Sequence, residues 1–259
     1  MRFTPKFAGD TSAEEWAEAH LRALAAAASA SPRRQRLAPF DKVRFAHQID
    51  FATSGVLLAA TTRAAAAAAA ACFKARTAAK RYICIVFGHP SLDSWTSNEP
   101  LCYDERDPKG FRMRVARDAP AHAVDAPSSG VKSAATRFRV LCRGVCSLPG
   151  PWAGADVAAL EAAPASGRRH QIRVHAAAAG HPLMGDCAYS PDADSFRMFL
   201  HAHELVLPLQ GADADGAPER EEPLRIMAPL PRAFAAAMTP PLDVEAGEDG
   251  GAHGSTRDR

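Results

Sequence analysis

Strand-patterned segments in this chain do not take turns with helix-patterned ones, and that irregular order restricts its fold more than any other feature. RYICIVFG alternates and carries β-branched and aromatic residues, so it reads as a strand, and ATRFRVLCR, ADVAALEAAPA and MFLHAHELVLPL read as further strands. A further buried strand is expected over residues 55–62. Helical signals are fewer. Residues 12–15 have capping-box spacing ahead of EEWAEAHLRALAAAA, and residues 64–76 form an alanine-rich run of high helix propensity. HQIRVHAAAAG reads as a helix with Gly180 placed to end it. Without a regular βαβ rhythm, the expected class is α+β rather than a parallel doubly wound sheet.

The ends look different from the middle. Residues 1–39 read as a helical extension closed by the linker ASASPRRQ, residues 40–240 as one folded domain, and residues 241–259 as a disordered acidic tail. GADADGAPEREEP reads as a turn-rich insertion. A chain of 259 residues can bury a full core. The apolar run 64–73 is far too short to span a bilayer, so no membrane partner is expected. The six cysteines form no CxxC pair and no secretory signal precedes them, which points to reduced thiols in an intracellular protein. The opening MRFTPKF allows an organelle transit peptide without establishing one. A monomer is expected.

Net charge is only +2, but it is unevenly spread. Residues 33–147 carry 19 Lys+Arg against 9 Asp+Glu, a balance of +10, whereas residues 209–259 carry 5 against 10, a balance of −5. A basic body suits a polyanionic partner such as nucleic acid; a merely solvated surface is the competing explanation.

Two segments place charge where burial is expected. HQIDFATSG sets Asp50 just before the apolar run GVLLAA, and a buried carboxylate must find a cation or water, or be protonated. GRRHQIRVH, read as helix, puts Arg169 and Arg173 at i and i+4 on one face, beside a stripe of Ile172, His175, Ala176 and Ala179. An arginine beside an apolar stripe calls for an acid or a phosphate, and Asp50 is the obvious candidate. The residues alone allow a pair that only pins the core. His170, His175 and His181 lie near one another, but their spacing matches no zinc or metalloprotease pattern, so no metal is expected.

Taken in order, HQIDFATSG, KRYICIVFGH, VKSAATRFRVL, SGRRHQIRVHAAAAGHPLMGDCAYS and FRMFLHAHELVL resemble the RluA-type RNA pseudouridine synthases over about residues 40–210. The likeness is nearest to eukaryotic proteins with an RNA pseudouridylate synthase domain. It implies a mixed, mostly antiparallel sheet flanked by helices, with a central catalytic cleft. It also implies isomerisation of uridine to pseudouridine within RNA, with no metal and no organic cofactor.

On that resemblance Asp50 is the catalytic carboxylate, acting as a nucleophile on the sugar or as a base on a ribose proton. Arg173 is its ion-pair partner, and Tyr82 stacks on the flipped uracil and handles a proton. Lys80 and Arg81 are expected at phosphates or on a solvated face, with Arg169 also at the RNA and Ile172 walling the base pocket. Two departures stand out. The family usually carries Arg where this chain has Gln48, a residue with no charge to grip RNA while the base is extruded, so unpaired uridines are the expected targets. Residues 1–39 also lack the family's opening strand pair with its Asn-Lys-Pro-like segment, and no S4-like domain is visible. An RNA-binding protein of the same fold that has lost catalysis is the alternative. A carboxylate-dependent glycoside hydrolase lacks an obvious second acid.

Overall fold

The computed structural model describes residues 12–29, 42–192, 195–209 and 222–242. The linker, insertion and tail read from the sequence lie wholly or largely outside the described residues. The chain groups into two compact units. One comprises Met1–Ile49, Leu57–Ala78 and Val206–Arg225; the other comprises Asp50–Val56, Ala79–Leu205 and Ile226–Arg259.

In the first unit, helix α1 (Ala13–Ser29) starts with the expected reciprocal cap. Ser12 Oγ accepts from the Glu15 amide at 3.1 Å, and Glu15 accepts from the Ser12 amide at 2.8 Å. Strand β1 (Arg44–Phe45) pairs antiparallel with β3 (Ala59–Ala60), and helix α2 (Arg63–Ala75) follows, capped by the Thr62 hydroxyl. The strand expected over residues 55–62 is instead two short pieces, β2 (Ser54–Gly55) and β3, with Gly55 at φ 108 beginning the break. Runs of small residues such as GVLLAA suit a strand by hydropathy, but the partners available on each side are different.

The second unit holds most of one sheet of order β11-β10-β4-β9-β8-β12. These strands are β4 (Ala79–Phe87), β8 (Thr136–Cys146), β9 (Asp156–Pro164), β10 (Leu200–Leu207), β11 (Leu224–Met227) and β12 (Met238–Thr239). Strand β5 (Ser94–Ser97) joins β8 antiparallel, and β2 joins β10 parallel. The sheet is thus mixed, with its β4–β9–β8 centre antiparallel. A separate hairpin pairs β6 (Leu101–Tyr103) with β7 (Met113–Val115). Helix α3 (Gln171–Ala178) covers one face, and the short α4 (Arg232–Ala236) lies on the other.

Burial on both faces explains why β4 reads as an almost unbroken apolar run. Ile83 and Ile85 enter the core with Phe199, Phe234 and Met238, whereas Cys84 and Val86 enter a second core with Ile172, Ala176 and Leu200. Because side chains alternate along a strand, Lys80 and Tyr82 share the α3 face and Arg81 points to the opposite one.

Candidate active site

A tight turn carries Asp50, with the Thr53 amide donating to the Asp50 carbonyl at 2.9 Å. Strand β10 holds the far end of this turn. Ser54 pairs with His201, their side chains meet at 2.9 Å, and the Val56 amide donates to Ala202 at 2.8 Å. Asp50 is thereby aimed at α3, where its Oδ2 accepts from Arg173 Nη1 at 3.0 Å. Its other oxygen accepts no hydrogen bond among the described residues, and its side chain keeps 26% of its exposure. One oxygen is fixed and the other is available.

The pairing of Asp50 with Arg173 matches the sequence expectation, but it is only half of the arginine's environment. Asp186, fully buried, takes Arg173 Nε and Nη2 in a two-point contact at 2.7 Å each. Burial works against the charge on Arg173, but the hydrogen bonds and attraction of Asp186, then Asp50, outweigh it and hold the guanidinium above its usual range. The Tyr189 ring lies 5.0 Å from that guanidinium. Asp186 sits in GHPLMGD and Tyr189 in CAYS, and neither is among the expected site residues. The signal was there: an Asp in an otherwise apolar turn raises the same question as Asp50.

The segment before α3 corrects a second expectation. The helix begins at Gln171, and His170 has left-handed backbone (φ 55, ψ 19), so Arg169 is not on the helix and shares no face with Arg173. The Arg169 guanidinium lies 4.6 Å over the Phe111 ring, at the end of the β6–β7 hairpin loop. Ala179 is exposed, whereas Ile172, His175 and Ala176 are buried as expected. The polar letters of HQIRVH are buried because each has a partner. Gln171 accepts from Ser166 and the Arg168 amide and donates to Ala135 and Thr136, and His175 meets Thr136 and the Glu99 carbonyl.

Tyr82 faces this site from β4, packed with the α3 core. Burial, then the charge of Asp50, pushes its phenol up to about 12, so it carries its proton at neutral pH. Lys80 flanks it, its ammonium donating to the Ser166 carbonyl at 2.8 Å and lowered to about 8 by burial. Arg81 is not brought here. It forms ion pairs with Glu204 and, at 3.4 Å, with Glu161, which Arg139 shares. Gln48 belongs to the other unit. Among the described residues no group of three or more His, Cys, Asp or Glu is arranged to hold a metal ion, and no helix is long and apolar enough to cross a membrane.

Comparison with known proteins fits this geometry. The sequence pattern described as RNA pseudouridylate synthase matches residues 18–178. The chain belongs to the RNA pseudouridylate synthase family. Within it the chain is of RluA type, being 34% identical over 171 residues to the dual-specificity RNA pseudouridine synthase RluA of Haemophilus influenzae (64% of this chain, 68% of that one). It is 36% identical over 171 residues to the mouse RNA pseudouridylate synthase domain-containing protein 1 (64% of this chain, 52% of that one). The chain therefore spans about half the length of that relative. The solved structure of human RNA pseudouridylate synthase domain containing 1 is 30% identical, with TM-score 0.59, covering 76% of this chain and 74% of that one. The fold is accordingly that of the pseudouridylate synthases, α+β with a mostly antiparallel sheet. The family match includes Asp50, Tyr82 and Arg173 and ends before Asp186 and Tyr189.

Proposed function

We propose that this pseudouridylate synthase isomerises uridine to pseudouridine within RNA, with Asp50 as the catalytic carboxylate. The observation that carries the reading is the Asp50–Arg173 ion pair at 3.0 Å, which engages one carboxylate oxygen and leaves the other available beside Tyr82. The reaction breaks the bond from uracil N1 to ribose C1′, turns the base and rejoins it through C5. Asp50 serves either as a nucleophile on the sugar or as a base toward a ribose proton. Tyr82, protonated at neutral pH, offers a ring to stack on the base and a proton to move. Lys80 and Arg169 are suited to the RNA backbone, and Ile172 to the wall of the base pocket. Arg81, tied to two glutamates on the opposite sheet face, is better suited to holding the sheet together.

The catalytic unit on this reading is residues 40–240, since all these side chains lie within it. One chain supplies all of them, which supports action as a monomer. No organic cofactor enters any step. Asp186 spends both oxygens on Arg173, so it is not the second acid that a glycoside hydrolase would need. The test is incubation with unmodified uridine-containing RNA, followed by nucleoside analysis, for the native chain and Asp50→Asn. We expect pseudouridine from the native chain only, with RNA affinity kept within a few-fold. Binding without conversion by the native chain would leave an RNA-binding protein of this fold; conversion by Asp50→Asn near the native rate would remove Asp50 from the chemistry.

A further inference from the structure

One buried titratable group beside Asp50 has no task in the reaction as described. His170 is 5% exposed and stands in a left-handed backbone conformation that disfavours any residue with a Cβ. Its ring is boxed by Phe111 at 4.8 Å and Tyr189 at 5.6 Å, both edge-on. Its Nδ1 lies 2.8 Å from the Tyr189 hydroxyl.

The direction of that hydrogen bond follows from the next one. The Met113 amide donates to the same Tyr189 oxygen at 2.7 Å. With one lone pair of its oxygen taken there, the tyrosine can direct its own proton at His170 Nδ1, and we assign Nδ1 as the acceptor on that basis. A neutral imidazole whose Nδ1 accepts must carry its proton on Nε2. Burial, then Arg173 and Arg169, lower the ring to about 4 against the opposing pull of Asp50 and Asp186, so it is neutral at physiological pH. The Nε2–H meets no acceptor among the described residues. Backbone, tyrosine and arginines together hold an uncharged donor on a ring close enough to Asp50 to feel its charge.

We propose that His170 is a substrate-contacting residue whose Nε2–H donates to a carbonyl oxygen of the target uracil and stabilises the negative charge that develops there once the N1–C1′ bond has broken. The inference rests on the function proposed above. Whether Asp50 acts as nucleophile or base, the electron pair of the broken bond stays with the base, which becomes a uracil anion with charge on its ring nitrogens and carbonyl oxygens. C5 then bonds to C1′, either as the Asp50–C1′ ester formed by the nucleophile breaks or as Asp50 returns to C2′ the proton it removed as a base. The freed Asp50 carboxylate or water takes the C5 proton, and water supplies a proton to N1. His170 shares its proton throughout and transfers none. A neutral donor fits this duty, because an imidazolium would compete with Arg173 for Asp50.

Two measurements test it on the full chain. In the first, ring nitrogens are observed by NMR in protein labelled with ¹⁵N-histidine. His170 should be neutral with its proton on Nε2 from pH 8 to pH 5; a proton on Nδ1, or titration near 6.5, overturns the proposal. In the second, single-turnover conversion and binding are measured on a pool of unmodified tRNA and rRNA transcripts. His170→Ala should convert about 100-fold more slowly, the scale of losing one charge-stabilising donor, with RNA affinity within about threefold. His170→Gln, which restores an N–H, should recover part of that loss. Should the alanine variant fail to fold, Tyr189→Phe, lacking a single oxygen, should still slow conversion by about tenfold as Nδ1 loses its proton source. Native-rate conversion by His170→Ala or by Tyr189→Phe overturns the proposal, as does a His170→Gln variant no faster than His170→Ala. A native chain that forms no pseudouridine overturns the functional reading and this inference with it, whereas an active native chain matched by His170→Ala overturns this inference alone.

Discussion

Arg173 is shared by two carboxylates of unequal freedom. Asp186 is fully buried and holds the guanidinium at two points, while Asp50 uses one oxygen and retains access to solvent. On the proposed function, anchoring falls to Asp186 and chemistry to Asp50. Removing the arginine would leave both without their cation, and breaking a buried pair from one side typically costs 3–5 kcal/mol, so Arg173→Ala should lose roughly that much stability along with turnover. Chemical denaturation checks the first and nucleoside analysis the second; native behaviour in both would mean Asp50 and Asp186 are held by other groups. The phenols give a separate test. Tyr82 and Tyr189 are both pushed up to about 12 by burial, whereas unfolded tyrosine ionises near ~10. Between those values the folded state binds more protons, so stability should fall as pH climbs through that window. Absorbance at the phenolate band should show two of the three tyrosines ionising only near 12 in the folded chain.

At the level of elements, the position of Asp50 depends on how β2 reaches β10. Gly55 has φ 108, and a Cβ there would lie 2.1 Å from the Ala202 carbonyl oxygen, a backbone atom that cannot swing aside. Gly55→Ala should therefore break the parallel pairing that fixes the turn carrying Asp50. A strained backbone position costs about 1–3 kcal/mol before the clash is counted, so a loss at or above the top of that range is expected. Activity should fall further than the thermal midpoint alone explains, because the turn moves before the sheet unfolds. A variant with native stability and rate would show that β2 does not position Asp50. Gly185 repeats the device beside Asp186, with a Cβ position 1.9 Å from the Arg197 carbonyl oxygen. Asp186 thus stands next to a glycine pressed against backbone, and the turn carrying Asp50 ends at another.

At the level of the whole molecule, the +10 balance of residues 33–147 is only partly neutralised within the fold. Arg81, Arg117 and Arg143 meet Glu204, Glu99 and Asp93. Lys109 and Arg112 sit in the loop of the β6–β7 hairpin, whose Phe111 packs against Arg169 and His170 beside the site. Asp107 caps that loop by accepting from the Lys109, Phe111 and Arg112 amides, which fixes where the cations stand. Binding to RNA should accordingly be driven by phosphates. If four or five are contacted, a tenfold rise in salt should weaken binding by about three orders of magnitude. A flat salt titration between low and physiological ionic strength would contradict a polyanionic substrate.

Much of this was legible without coordinates. Alternation along RYICIVFG, the capping box at Ser12 and the helix stop at Gly180 are local signals, set by side-chain chemistry over a few residues, and they gave β4, α1 and the end of α3. The charge argument at Asp50 pointed to Arg173 because a half-buried acid must be answered by a cation somewhere. What the sequence could not show is which groups answer a polar residue already satisfied. Arg173 belongs to Asp186 as much as to Asp50, Arg81 belongs to Glu161 and Glu204, and Arg169 stacks on Phe111, all across separations of many residues. The start of α3 was misplaced for the same reason: Gln171 and His170 are held by partners on β8, the hairpin and the Tyr189 turn, and those contacts outweigh local helix propensity. Local patterning determined the elements; the pairing of buried charges, which depends on distances only the folded chain fixes, decided the site.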